Sequence, residues 1–138
     1  SADNTLHHRD PSNGTDYTVA DVERSQQFTS AQRSGVTILT SSSNVVTLDA
    51  SLNNSYMLEL TENVTTFDIT NIAEGTSFDI EISQNGTGGY TISGWDNAIT
   101  WPGGTAPTMS AGSNDVDVIS CKSFDGSTLR CGIIQNFS

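Results

Sequence analysis

The chain has 138 residues, 34% of them apolar, with five basic against sixteen acidic side chains and a formal charge of −11. One domain of this length can bury about 70% of its extended surface, so it needs neither metal nor disulfide to fold. The charge excludes nucleic acid and anionic lipid as natural partners, since phosphate binding runs on Lys and Arg displacing counterions; no apolar run reaches the roughly 20 residues of a membrane helix.

Residues 1–35 are polar, with Pro11 and the turn signal "SNGTD". Thr18 could cap one short helix over "VADVERSQQF", although Val19, Val22 and Phe28 make a thin apolar stripe. Arg9, Arg24 and Arg33 lie in this segment, where five acids leave a net of −2, while residues 36–138 hold eleven acids against Lys122 and Arg130. We therefore divide the chain into an extended N-terminal docking arm, 1–35, and an acidic body, 36–138.

From Val36 onward the apolar residues alternate. "VTILT" (36–40) and "VVTLD" (45–49) are candidate strands, and "YMLELT" (56–61), "TTFDIT" (65–70) and "TSFDIEIS" (76–83) put apolar side chains on one face and acids on the other. That is the signature of a half-buried strand. "YTIS" (90–93), "AITW" (98–101), "VDVISCKSF" (116–124) and "LRCGII" (129–134) extend the series. About eight or nine short strands, spaced about ten residues apart, predict an all-β antiparallel sandwich or jelly roll. No repeat of 20–50 residues is visible.

"SFDGST" marks a hairpin turn at Gly126. Centred there, the hairpin sets Cys121 opposite Cys131 and Lys122 opposite Arg130. The cysteines are then either a cross-strand disulfide or two small buried side chains, and we favour the second because a core hairpin needs no staple. Their lone C-x₉-C spacing is not a zinc site. Lys122 and Arg130 share the outer face, where facing like charges call for an acidic partner.

Few other residues suggest chemistry. His7 and His8, adjacent in an extended segment, point to opposite sides and chelate poorly. "NDVD" offers Asn114, Asp115 and Asp117 as oxygen ligands but lacks a D-x-D-x-D-G loop, so no metal or other cofactor is expected. No G-x-S-x-G or P-loop motif occurs, and no catalytic residues are assigned. The five N-x-[ST] sequons are explained by composition. Within the glycine-rich stretch "NGTGGYTISGWDNAITWPGGTAPT" (85–108), Trp95 and Trp101 could form a sugar-stacking platform. The preferred reading is a corner, with one Trp anchoring two turns in the core.

Residues 30–138 resemble a module of tailed-bacteriophage virion proteins and prophage tail-fibre-like proteins. The resemblance is carried by "QNGTGG" after an alternating strand, "WPGGTAPT" after a Trp-containing strand, "NDVDV" and the closing hairpin, with "LELTENVT" upstream. It implies a non-enzymatic structural protein at the virion surface, assembled in the host cytoplasm and oligomeric, with a trimer favoured. A body standing nearly alone behind a short arm points to a capsid decoration, head-fibre or tail accessory subunit. Its partners would be capsid or tail subunits met through Arg9, Arg24, Arg33, Lys122 and Arg130. The alternative is a receptor- or glycan-binding fibre module using Trp95 and Trp101.

Overall fold

The computed structural model describes residues 30–137, together with the backbone of two short strands further toward the N-terminus. Those strands, β1 (His7–Arg9) and β2 (Asp16–Thr18), pair antiparallel with His8 opposite Tyr17. They belong to a unit spanning Ser1–Arg33, separate from the unit Ser34–Ser138. The helix expected within 19–28 lies outside the described residues.

The second unit is β-rich. It contains β3 (Val36–Leu39), β4 (Val45–Asp49), β5 (Ser55–Leu60), β6 (Thr66–Thr70), β7 (Ser77–Gln84), β8 (Ile99–Thr100), β9 (Val116–Ser123) and β10 (Leu129–Phe137). Six of them form one sheet in the order β3-β5-β7-β9-β10-β8, and β4 pairs with β6 in a second. The "YTIS" segment is not a strand of either sheet. It touches the second through single parallel bridges, Val64 to Ile92 and Phe67 to Trp95.

Among the strands of this unit, the expectation of antiparallel pairing holds for β7-β9-β10 alone. β3 with β5, β5 with β7, β4 with β6, and β8 with β10 are parallel. The reason lies in the connections, because each strand from β3 to β7 is followed by a turn that carries the chain into the other sheet. Strands two apart in sequence then lie side by side and run the same way, as in a solenoid coil. The first such turn is tight. Ser43 and Asn44 take positive φ (53° and 66°) while Ser42 and Val45 exchange both backbone hydrogen bonds, the pattern of a two-residue primed turn. The coils differ in length, with Val36 paired to Ser55, Ser55 to Asp79, and Phe67 to Trp95. No sequence repeat therefore accompanies the structural one.

Inward residues of both sheets meet in one core. Val46 and Leu48 of β4 and Phe67 of β6 join Leu58, Leu60, Ile80, Ile82, Ile119 and Leu129, all essentially fully buried. Each such side chain contributes about 2 kcal/mol by leaving water. Tyr56 packs edge-to-face on Phe78, with ring centroids 5.8 Å apart, and its hydroxyl donates to the Asp49 carbonyl at 2.5 Å. The core is thereby sealed at the turn between β4 and β5.

Candidate functional site

The glycine-rich stretch forms a corner built from side chain to backbone hydrogen bonds. Gln84 ends β7 pointing inward, only 4% exposed, and spends its whole amide on the next turn. Its Nε2 donates to Tyr90 O (2.8 Å) and Ser110 O (2.9 Å), and its Oε1 accepts from Tyr90 N (3.1 Å). Asn85 Oδ1 accepts from Thr87 N at 2.8 Å and Gly88 N at 3.2 Å, which closes the turn. The chain then runs beside β6, with Phe67 N donating to Gly94 O at 2.6 Å. A Cβ at Gly94 would fall 1.8 Å from Thr65 O, so only glycine permits this approach.

That approach sets Trp95 against the core. Its ring lies 5.1 Å from Phe67, and Trp101 meets it edge-on at 5.3 Å with 70° between the planes. Both Trp side chains are half-buried and packed on the core. Two rings at this angle pack edge against face instead of offering one flat surface. The Trp95 indole Nε1 is buried without a partner among the described residues. Pro102, Gly103 and Gly104 form an exposed 3₁₀ turn directly after Trp101, with Gly104 N donating to Trp101 O at 2.9 Å.

The hairpin register is the one expected, with Cys131 opposite Cys121 and Arg130 opposite Lys122. The favoured reading of two free thiols is corrected, because Cys121 and Cys131 form a disulfide with Cα atoms 4.2 Å apart. Both point inward at the same rung, which holds the sulfurs within bonding reach whether or not the core requires a staple. On the outer face, Lys122 Nζ lies 5.6 Å above the Phe124 ring and Arg130 Nη1 donates to Thr100 Oγ1 at 3.1 Å. Asp79 and Glu81 lie on the same face of neighbouring β7, and Asp79 accepts from Ser120 Oγ at 2.5 Å.

The turn between the two cations is held by Asp125. The backbone N–H of Thr128 (2.7 Å) and then that of Ser127 (2.9 Å) donate to its carboxylate, drawing its pKa well below the ordinary carboxylate range.

The remaining candidates disperse. Arg9 sits at the end of β1, Arg33 is exposed, and Arg24 lies outside the described residues. Asp117 turns into the core at 1% exposure, accepting from Ser110 N (2.7 Å) and Asn136 N (2.9 Å). Asp115 instead accepts from Gly112 N at 2.6 Å, so "NDVD" does not converge on a common point. Among the described residues no three His, Cys, Asp or Glu side chains gather as metal ligands.

One surface went unremarked in the sequence. β3 and β4 are each the last strand of their sheet at the same end of the unit, and a cleft of about 430 Å³ opens between them. Thr37, Ile38, Val45, Thr47, Asp49 and Leu52 line it, with Ile38 65% and Leu52 60% exposed. The available signal was a negative one, in that "VTIL" contains no Lys, Pro or Gly to blunt an edge.

Set against known proteins, the chain matches no family model, no curated protein and no solved structure.

Proposed function

We propose that this chain is a non-enzymatic structural subunit of a bacteriophage virion, a small capsid decoration, head-fibre or tail accessory protein docked by its N-terminal arm. In finer architecture we read the two sheets as a sandwich rather than a jelly roll, because a jelly roll is antiparallel throughout. The observation that carries the reading is the corner at residues 84–112. The segments that resemble the virion module, "QNGTGG" and "WPGGTAPT", are spent on closing turns and covering the core. Arg9, Arg24 and Arg33 would meet acidic neighbours on the particle, and Lys122 and Arg130 would meet acids of an adjacent copy in a trimer.

Co-expression with the head and tail genes of the genome that encodes it tests the proposal. The full chain should band with purified particles, whereas a chain lacking residues 1–35 should fold and remain unbound. Particles that never carry the full chain would overturn it. Lys122→Glu with Arg130→Glu should lower the oligomer mass by light scattering in low salt.

The receptor or glycan reading draws on Trp101, half-exposed beside the Pro102–Gly104 turn. A Trp101→Ala variant that stays folded yet loses a glycan-array signal would put that reading first.

A further inference from the structure

We propose that the β3/β4 end of the body takes up an extended strand from another protein, one in which apolar residues alternate with Lys or Arg. The inference is independent of the virion reading.

The backbone comes first. Among the described residues β3 is paired only with β5, and β4, beyond its own turn at Ser42 and Val45, only with β6. Alternate N–H and C=O groups of Val36–Leu39 therefore face outward in a row, which is the template used when a peptide adds a strand to a sheet. Natural edges are usually guarded by Lys, Pro, a bulge or a covering loop. β3 has none of the first three, and its register with β5 is regular over all four residues.

Side chains supply the second requirement. Ile38 points outward from β3 at 65% exposure and lines the cleft with Val45 and Leu52, while Val36, 53% exposed, lies on the same face of β3 beside Met57. Spread along the β3 edge, they are what an alternating apolar strand would cover. A second hollow, of about 370 Å³, flanks the far side of Ile38 and is lined by Thr40, Ser41, Glu59 and Thr61. The Ser41 hydroxyl is buried there without a hydrogen-bond partner among the described residues, a state that an incoming backbone or side-chain group would relieve.

Charge selects the occupant. The first cleft contains Asp49 and the second Glu59, and among the described residues neither is lined by a cation. Asp49 is held as the anion, since the Ser51 hydroxyl, then Asn71 and the Ser51 N–H, donate to its carboxylate and lower its pKa. The body's two cations lie on β9 and β10, away from this edge. A second copy docking edge to edge would bring the Asp49 and Glu59 carboxylates of both copies to one seam, and such like-charge contact rejects a partner. A strand bearing Lys or Arg between apolar residues meets both needs.

The test uses the full chain, labelled for backbone NMR, and an end-blocked octapeptide of alternating valine and lysine. Shifts and slowed amide exchange should appear in Val36–Leu39 and Val45–Asp49. A valine–glutamate peptide should bind at least tenfold more weakly. Ile38→Lys, a change at an exposed position, should abolish the shifts with the fold intact. Glu59→Gln with Asp49→Asn should weaken the lysine peptide about tenfold and leave a valine–serine peptide unchanged. The proposal is overturned by equal binding of the acidic peptide, or by absence of shifts at these amides. Edge amides already protected in the chain alone would assign the site to its own N-terminal segment. A dimer dissolved by Ile38→Lys would assign it to a second copy. Either result also overturns the proposal.

Discussion

At the β8/β10 edge of the six-stranded sheet, a short parallel strand covers the start of β10, and Gln135 ties the strand's later part to Thr108 O at 2.6 Å. Beside it the Trp95–Trp101 pair closes the core over Phe67, and a disulfide joins β9 to β10. At the β3 edge there is no comparable cover among the described residues; four regular residues end the sheet, with apolar side chains in solvent. The contrast teaches where stability and recognition separate. Cover is concentrated at one edge, and an edge left bare among the described residues is what a partner strand can read.

The comparison breaks most readily at the covered edge. Phe67→Ala should cost about 4 kcal/mol in guanidinium unfolding, because it empties a fully buried site beneath Trp95. Gly94→Ala should approach the same loss despite adding a single methyl, since the clash is with the Thr65 backbone. A loss under about 1 kcal/mol in either variant would mean that the corner is not part of the cooperative core.

Replacing Cys121 and Cys131 together by alanine should cost about 3 kcal/mol, with the register unchanged. Urea midpoints with and without reductant check it, and wild type should lose a similar amount on reduction.

Asp125→Asn makes a smaller, pH-dependent change. The carboxylate is depressed in the folded state, so its stabilising effect is full above the unfolded value of about 4 and fades as pH falls through the folded one. The urea midpoint of wild type should therefore exceed that of the variant at pH 7, and the two should converge in acid. A constant gap across that window would remove the charge from the explanation.

Smallest of all, Ile38→Lys at the bare edge should change stability by less than about 0.5 kcal/mol. A large loss would show that the β3 edge is already structurally engaged, and the contrast between the edges would fail.

Alternation alone made the strands legible. The residues that read as inward in "YMLELT", "TTFDIT" and "TSFDIEIS" are the buried ones, and the Gly126 turn placed Cys121 and Lys122 opposite their true neighbours. Pairing direction was not legible, because period two records which side chains face the core and nothing about which strand lies alongside. Parallel coils and antiparallel meanders produce the same pattern when one face stays in water. The Trp corner was legible as turns, since Gly and Asn announce positive φ, but its depth depended on Gly94 meeting Thr65, a contact across 29 positions. The open edge left almost no mark in the sequence, since an edge is defined by a neighbour that is missing.

What the sequence by itself determined is therefore local: strands, their inward faces, the hairpin register and an acidic body. The tertiary structure alone decided the order of the strands, the bond between the two cysteines, the edge-on meeting of the tryptophans and the place of β3 at the end of its sheet. Each of these depends on which distant segments become neighbours, and that is set by turns passing between sheets and by the volume left to fill in the core, neither of which any short stretch of residues encodes.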